Sequence, residues 1–585
     1  MSDTGGKSRA REKLLNARPV KASAEQLEDV AKPLPDGCPV HPLGMQSGET
    51  PTAVYLSASG IISKLAGQAH GLGNLEGLFA PQNKFLWEHW PRRTQDGATV
   101  NGFKAELVRS DLFAAAGRLG IWDELERVRG PGAWRGAGGE LILHLGDRVM
   151  MDGELHPWGV LDGMVYPAGP TMLGPAPRTL KGANPTQPGQ QVLALLQTWN
   201  WRHPTIAPRL MLGWICAAMV GGALKWRPAV WPTGDRGTGK STLLDACKAL
   251  LGPNAAVQTA NTTAAGIRQA VMARSVPVLL DELESSDDGG DVVQKVIELL
   301  RQASSGSIGL RGGADHKGQV FQIRSAMLAT SIMVPPLRSQ DRSRIAVLDL
   351  RPLDSSKPPP DVRADRLHAL GQQLLRRMVD NWPQLDGRLA TWRAQLEAHA
   401  GMDARGADQY GTLLACADLV LSDLPPDGEL LAEVVGEGLT KMLGELRADD
   451  VQDWRRAIDH MLTAPAEAYR GGDRLTLGEL VGRAAGHVPG IDPDDANKAL
   501  ASAGLRVVVQ SGVWWLAVAN QHQHLSRVYQ GTIWAGRSGT SGGWRQVMLR
   551  APGALVPPNA LRFGAGVSQR VVMLPLLVAL NQEGP

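Results

Sequence analysis

The chain has 585 residues, 43% hydrophobic and 20% charged, with 61 basic against 58 acidic side chains and a formal charge of +3. That composition belongs to a globular chain of three to five domains, at roughly 100–200 residues each, and excludes a generally basic nucleic-acid coat. The four cysteines (Cys38, Cys216, Cys247, Cys416) form no CxxC pair, which argues against a structural zinc site or a disulfide framework.

Residues 1–35 are charged and Pro/Ala-rich with no apolar stretch, and read as a tail without a signal peptide. Residues 36–185 carry short apolar runs split by Gly and Pro (AVYLSASGII, GELILHLGD, WGVLDGMVYPAG), the pattern of a mixed α/β domain. His144 alternates with apolar neighbours and suits a core better than catalysis. No convincing DxD pair of a primase is present, so this domain reads as a collar or adaptor. The Pro/Gly-rich stretch from Tyr166 to Gln190 reads as a linker.

Residues 186–355 open with a helical lead, Val192 to Lys225, followed by alternating strands and helices. The lead contains the longest apolar run, Leu210 to Leu224, 15 residues long. A bilayer span needs about 20, so this is a buried helix, and a cytoplasmic protein without a membrane partner is expected. Residues 356–470 have helical periodicity. Residues 471–585 read as helix, helix and a two-stranded hairpin with a Ser-Gly turn, a winged-helix-like order with β segments beyond it.

The strongest chemical signal is Gly234-Asp235-Arg236-Gly237-Thr238-Gly239-Lys240-Ser241-Thr242, a full GxxxxGK[ST] match between a short strand and a helix. Glycines let consecutive N–H groups turn inward around a β-phosphate. Lys240 brings charge to the β/γ-phosphates of ATP, and the Ser241 hydroxyl can ligate Mg²⁺. Thr242 lines the nucleotide side of the helix start. About forty residues on, the apolar strand Val276 to Leu280 ends in Asp281-Glu282. This acid pair places Asp281 near the metal and Glu282 where it can polarise an attacking water. Lys240, Asp281 and Glu282 are thus the expected catalytic set of an ATPase.

A helix (Asp291 to Ala303), a hairpin pattern in SGSIGLRGGADHKGQVFQIRS, a second apolar strand (Ala326 to Ile332), and Asp341-Arg342-Ser343-Arg344 before IAVLDL follow in order. This order resembles the AAA+ core of superfamily 3 helicases and the related primase–helicase ATPases of phages and mobile elements, over roughly residues 226–352. The resemblance implies an α/β AAA+ P-loop NTPase core and assembly into a ring, a hexamer, with single-stranded DNA in its pore. Replication proteins are further implied partners.

In that family basic residues at the hairpin tip track the nucleic-acid backbone. The matching residues are His316 and Lys317 at the tip and Arg311 on the entering strand. A plain surface turn is the alternative. The family's arginine finger, reaching into a neighbour's ATP, falls best on Arg344 and second on Arg342, against the alternative of a surface ion pair. One departure stands out. The family's sensor Asn is replaced by Ile332, and a hydroxyl from Thr330 or Ser331 is left to substitute.

From Ala499 to Pro585 there are seven Arg and a single acid, Glu583, giving +6 against −3 for the remainder. Trp514, Trp515, Trp534 and Trp544 interleave with these arginines, which suits single-strand binding or, alternatively, a Trp-rich core. Two functions follow: a DNA helicase or translocase, or an ATP-controlled assembly switch (an initiator, loader or defence-complex ATPase) that does not unwind.

Overall fold

The computed structural model describes residues 33–585 except 96, 98, 179–183, 261, 284–289, 313–317, 336, 338, 355–358, 444–452, 467–474, 533, 536–542, 565 and 582–585. Its contacts divide the chain into two compact units, Met1–Thr440 and Lys441–Pro585.

The first unit begins with an antiparallel meander of β1 (His41–Gln46), β2 (Thr52–Leu56) and β3 (Ile62–Ala66). It packs on α1 (Ala105–Arg118) around Tyr55, Leu75, Phe79 and Leu112. A second antiparallel sheet joins β4 (Gly132–Arg135), β5 (Leu141–His144), β6 (Arg148–Met151) and β7 (Glu154–Pro157). His144 is fully buried. Its Nδ1 donates to the Arg129 carbonyl at 2.9 Å, its ring meets Tyr166 edge-on, and burial pushes its pKa down. It is a core histidine. This part docks on the segment that follows through Ser275, whose N–H donates to Pro131 O at 3.0 Å and whose hydroxyl donates to Ala133 O at 2.7 Å.

The helical lead resolves into α2 (Gln187–Leu196) and α3 (Ala207–Met219), and α3 is almost wholly buried, as its apolar run requires. Among the described residues no helix is long and apolar enough to cross a membrane. Then come β8 (Ala229–Thr233), α4 (Lys240–Leu251), β9 (Val257–Ala260), α5 (Ala264–Val271), β10 (Val278–Asp281) and α6 (Gly290–Ser305). The hairpin strands β11 (Ile308–Gly312) and β12 (Gly318–Gln322) precede β13 (Met327–Ala329) and β14 (Ile345–Asp349).

Five of these strands make one parallel sheet in the order β9-β10-β13-β8-β14. Parallel sheets are covered on both faces, which is why the strands read as continuous apolar runs. One face, with Trp231, Leu280, Met327 and Ile345, packs on α5 and α6. The opposite-facing Val230, Leu279, Leu328 and Ala346 are equally buried. The helices α7 (Ala364–Asn381), α8 (Leu385–His399) and α9 (Ala404–Leu421) follow, with a buried Arg388–Asp418 ion pair at 2.7 Å between α8 and α9.

The second unit runs α10 (Asp453–Leu462), α11 (Leu477–Ala484), α12 (Pro493–Ser502), then β15 (Leu505–Gln510) and β16 (Val513–Ala519). β17 (Val571–Pro575) pairs on the far side of β16. Of the two readings of the tryptophans, two of the four residues follow the Trp-rich core. Trp534 and Trp544 lie in the core; Trp544 stacks on Tyr529 at 5.1 Å and donates its indole N–H to Ala519 O at 3.1 Å. Indoles are large apolar groups that a small unit needs for its interior. Trp515 is half-buried, and of the four only Trp514, on β16, stays exposed.

Candidate nucleotide site

The loop after β8 turns on glycines with positive φ: Gly234 at 154°, Gly237 at 79° and Gly239 at 82°. At Gly234 a Cβ would sit 2.4 Å from the Leu350 carbonyl, so no other residue fits. Gly239 is the N-cap of α4; no side chain caps this helix and no acid occupies its first turn. Its leading amides are therefore available to an anion, with the helix dipole in support. The Thr238 hydroxyl is buried and donates to Asp235 O at 2.9 Å, closing the turn. Asp235, Arg236, Gly237 and Ser241 are exposed, and Thr242 is half-buried.

Lys240 folds back over the loop, donating from Nζ to Gly234 O at 2.5 Å and to Asp235 O at 2.9 Å. Neutral carbonyls satisfy the ammonium there. Phosphate oxygens are stronger acceptors for the same donors, so the arrangement fits a polyphosphate.

β10 and β8 both pair with β13: Val278 and Ala229 are each opposite Met327. Parallel register therefore brings Asp281 to the same sheet edge as the phosphate loop, about 10 Å from it across one intervening strand. Asp281 accepts a 2.9 Å hydrogen bond from the Thr330 hydroxyl, whose Oγ1 in turn accepts from the Glu282 N–H at 3.4 Å. Glu282 is exposed and has φ of 52°. Left-handed backbone on a residue other than glycine costs on the order of 1–3 kcal/mol and persists where the surroundings enforce it. Here the Leu283 N–H donating to Thr330 O at 2.8 Å enforces it from the next residue.

Strand alternation sends the next hydroxyl the other way. Ser331 Oγ accepts from the Trp231 indole at 2.9 Å and donates to Met333 O at 2.8 Å. Thr233 donates to Ile332 O at 2.8 Å. Thr330 thus faces the acids, whereas Ser331 ties β13 to β8.

Arg344 is not brought to this edge. Ile345 pairs with Ala229 while Asp349 pairs with Thr233, so Arg344 lies at the opposite end of the sheet from its own phosphate loop. The separation is on the order of 13–16 Å along the strand. Its Nη1 donates to Gln340 O at 2.5 Å and its guanidinium lies 5.9 Å from the Trp226 ring centroid. Burial, then Arg405 and Arg301, push its pKa down. Arg342 donates from Nε to Leu337 O at 3.2 Å.

The expected hairpin is present as β11 and β12, with Arg311 opposite Gln319. The Arg268 guanidinium lies 4.4 Å from the Phe321 ring centroid and holds its base. His316 and Lys317 lie outside the described residues, as do Glu284, Asp287 and Asp288.

Among the described residues no three His, Cys, Asp or Glu side chains converge as a metal centre. Mg²⁺ takes one or two protein oxygens and completes its shell with phosphate and water. Ser241 and Asp281 are the residues expected from the sequence to supply those oxygens.

The family of P-loop containing regions of AAA domains matches residues 225–266. The chain therefore carries a P-loop NTPase site. No curated protein matches the sequence. Among solved structures, "The apo structure of NrS-1 C terminal region (305-718)" is similar at 10% identity, over 91% of this chain and 95% of that one, with a TM-score of 0.33. Two A-form apo structures of the same region have the same identity and coverage, with TM-scores of 0.33 and 0.31. At that TM-score the likeness carries no argument for the topology, which rests on the strand pairing above.

One contact had no sequence signal. Trp199, 35 residues before the phosphate loop begins, is buried against it and donates its indole N–H to Gly239 O at 3.0 Å. The chain's excess of Trp (17, against 6 Phe) hinted at structural indoles without saying which.

Proposed function

We propose that this chain is an ATP-hydrolysing, ring-forming DNA helicase or translocase of phage or mobile-element replication, gripping single-stranded DNA through the β11–β12 hairpin. The observation that carries this reading is that hairpin, leaving the core between α6 and β13, in a domain whose phosphate loop and Asp281-Glu282 share one sheet edge. On binding, Lys240 exchanges the Gly234 and Asp235 carbonyls for the β/γ-phosphates, and the amides of Gly237 to Thr242 cradle the phosphate chain. Ser241 and Asp281, the latter aimed by Thr330, would hold Mg²⁺, which would supply charge neutralisation to the phosphates. Glu282 polarises the attacking water. Arg344 sits too far from its own loop to serve it, which supports its use in trans on a neighbour's nucleotide. Lys317, His316 and Arg311 would contact the strand, and the 441–585 unit serves as a winged-helix-like accessory.

A second reading, an ATP-controlled assembly switch without unwinding, is favoured by the end of β13. Thr330 is committed to Asp281 and Ser331 to Met333 and Trp231, so neither hydroxyl is free to hold the water as an Asn would.

Sizing the Glu282→Gln chain with ATP and Mg²⁺, with and without single-stranded DNA, tests the proposal. A ring that forms or tightens on DNA is expected; a nucleotide-bound monomer indifferent to DNA overturns it. Lys317→Ala should abolish DNA stimulation of the ATPase. Robust hydrolysis without strand displacement or translocation selects the switch.

A further inference from the structure

We infer that Trp199 is a positioning residue for nucleotide binding: it aims the backbone amide of Lys240 at the phosphate chain. The inference rests on reading this loop as the nucleotide site.

Consider first the peptide joining Gly239 to Lys240. In a trans peptide the C=O of one residue and the N–H of the next point in opposite directions. Whatever fixes the Gly239 carbonyl therefore fixes the Lys240 N–H. Two donors hold that carbonyl: the Leu243 N–H of α4 at 2.9 Å, and the Trp199 indole at 3.0 Å. With the oxygen drawn toward the helix and the indole, the amide faces out of the helix N-terminus, where the loop glycines leave room. The left-handed Gly239, at φ 82°, gives the loop little intrinsic preference for this orientation, because glycine populates both signs of φ.

The indole is well placed to impose one. It is 2% exposed, and a Cβ on residue 239 would come within 2.9 Å of its Nε1 and 3.3 Å of the Leu353 side chain. Glycine at 239 thus serves the Trp199 contact as well as the turn. Trp199 is itself fixed from both sides. Trp201 donates its indole N–H to Leu196 O at 2.6 Å, closing the end of α2, and Asn200 Nδ2 donates to Pro352 O at 2.9 Å. Main-chain bonds from Arg202 N to Asp349 O and from Arg351 N to Asn200 O lay this segment along the end of β14. The lead is thereby a brace for the phosphate loop, reaching it through a hydrogen bond to the carbonyl whose peptide carries the Lys240 amide.

The test compares ATP affinity, with Mg²⁺, across the wild type, Trp199→His, Trp199→Phe and Lys240→Ala. Titrations are run at a temperature where the melting curve of each nucleotide-free chain shows it folded, so a lost affinity reports the loop rather than unfolding. Phe keeps the ring and loses the donor; His retains a ring N–H. Removing one hydrogen bond should weaken ATP binding about fivefold in Trp199→Phe, with His intermediate. The amide contact exists in ground and transition states alike, so KM rises while kcat stays near the wild-type value. Equal affinity in the wild type and Phe, a Phe variant that binds as well as or better than His, or a fall in kcat at constant KM overturns the inference. Its failure is separable from failure of the nucleotide reading. If Lys240→Ala binds ATP as the wild type does, or the wild type does not bind, the site assignment falls and the inference falls with it.

Discussion

At the carboxyl edge of the parallel sheet, Lys240, Ser241, Asp281 and Glu282 stay partly or fully exposed, each set by backbone turns or by one hydroxyl. In the 441–585 unit the equally suggestive Trp534 and Trp544 are drawn into the core, among Tyr529, Met548 and Leu574. The first group is marked in the sequence by spacing, the second only by composition. Spacing encodes a geometry, because a strand, a glycine turn and a helix can place those residues in one way only. Composition encodes no placement, and apolar surface goes inside wherever it can.

The sharpest way to break this contrast is Trp544→Ala. It should destabilise the second unit by about 3–5 kcal/mol, measured by denaturant unfolding, while ATP affinity is unchanged. A stable Trp544→Ala chain that lost DNA binding would restore the single-strand reading. Lys240→Ala should do the reverse: a loss of roughly 10²–10³ in ATPase kcat/KM, comparable to removing a preorganised charge donor, with melting of the nucleotide-free chain unmoved.

Thr330→Val probes the hydroxyl that reaches Asp281 among the described residues. Leaving Asp281 without its donor should cost roughly tenfold in kcat and raise the Mg²⁺ concentration needed for half-maximal rate. Ser331→Ala should leave that Mg²⁺ requirement alone, since Ser331 faces the opposite side. The smallest effect is expected at Trp514, the exposed indole of β16: Trp514→Ala should shift stability by no more than about 0.5 kcal/mol. A larger shift in the isolated chain would mean that Trp514, too, is core.

Much of the site was legible because its chemistry is local. The run from Gly234 to Thr242 and the strand ending at Asp281 each carry their own turn and periodicity, and both stand where the sequence puts them. The hairpin after α6 was legible for the same reason, through two alternating runs around a Gly-rich turn. The choice between Thr330 and Ser331 was not. Both are hydroxyls at one strand end, and only pairing with β10 on one side and β8 on the other gives each its neighbour.

Arg344 shows the same limit: its place in the sequence suggested a role, but its end of the sheet follows from the register of β14 against β8. The amino-acid sequence by itself determined the P-loop, the acid pair, a near-neutral charge and the order of the elements. Tertiary structure alone decided which indoles are core, which hydroxyl serves Asp281, and that Trp199 braces Gly239. Those three depend on contacts between residues far apart in the chain, where neither helical nor strand periodicity carries information.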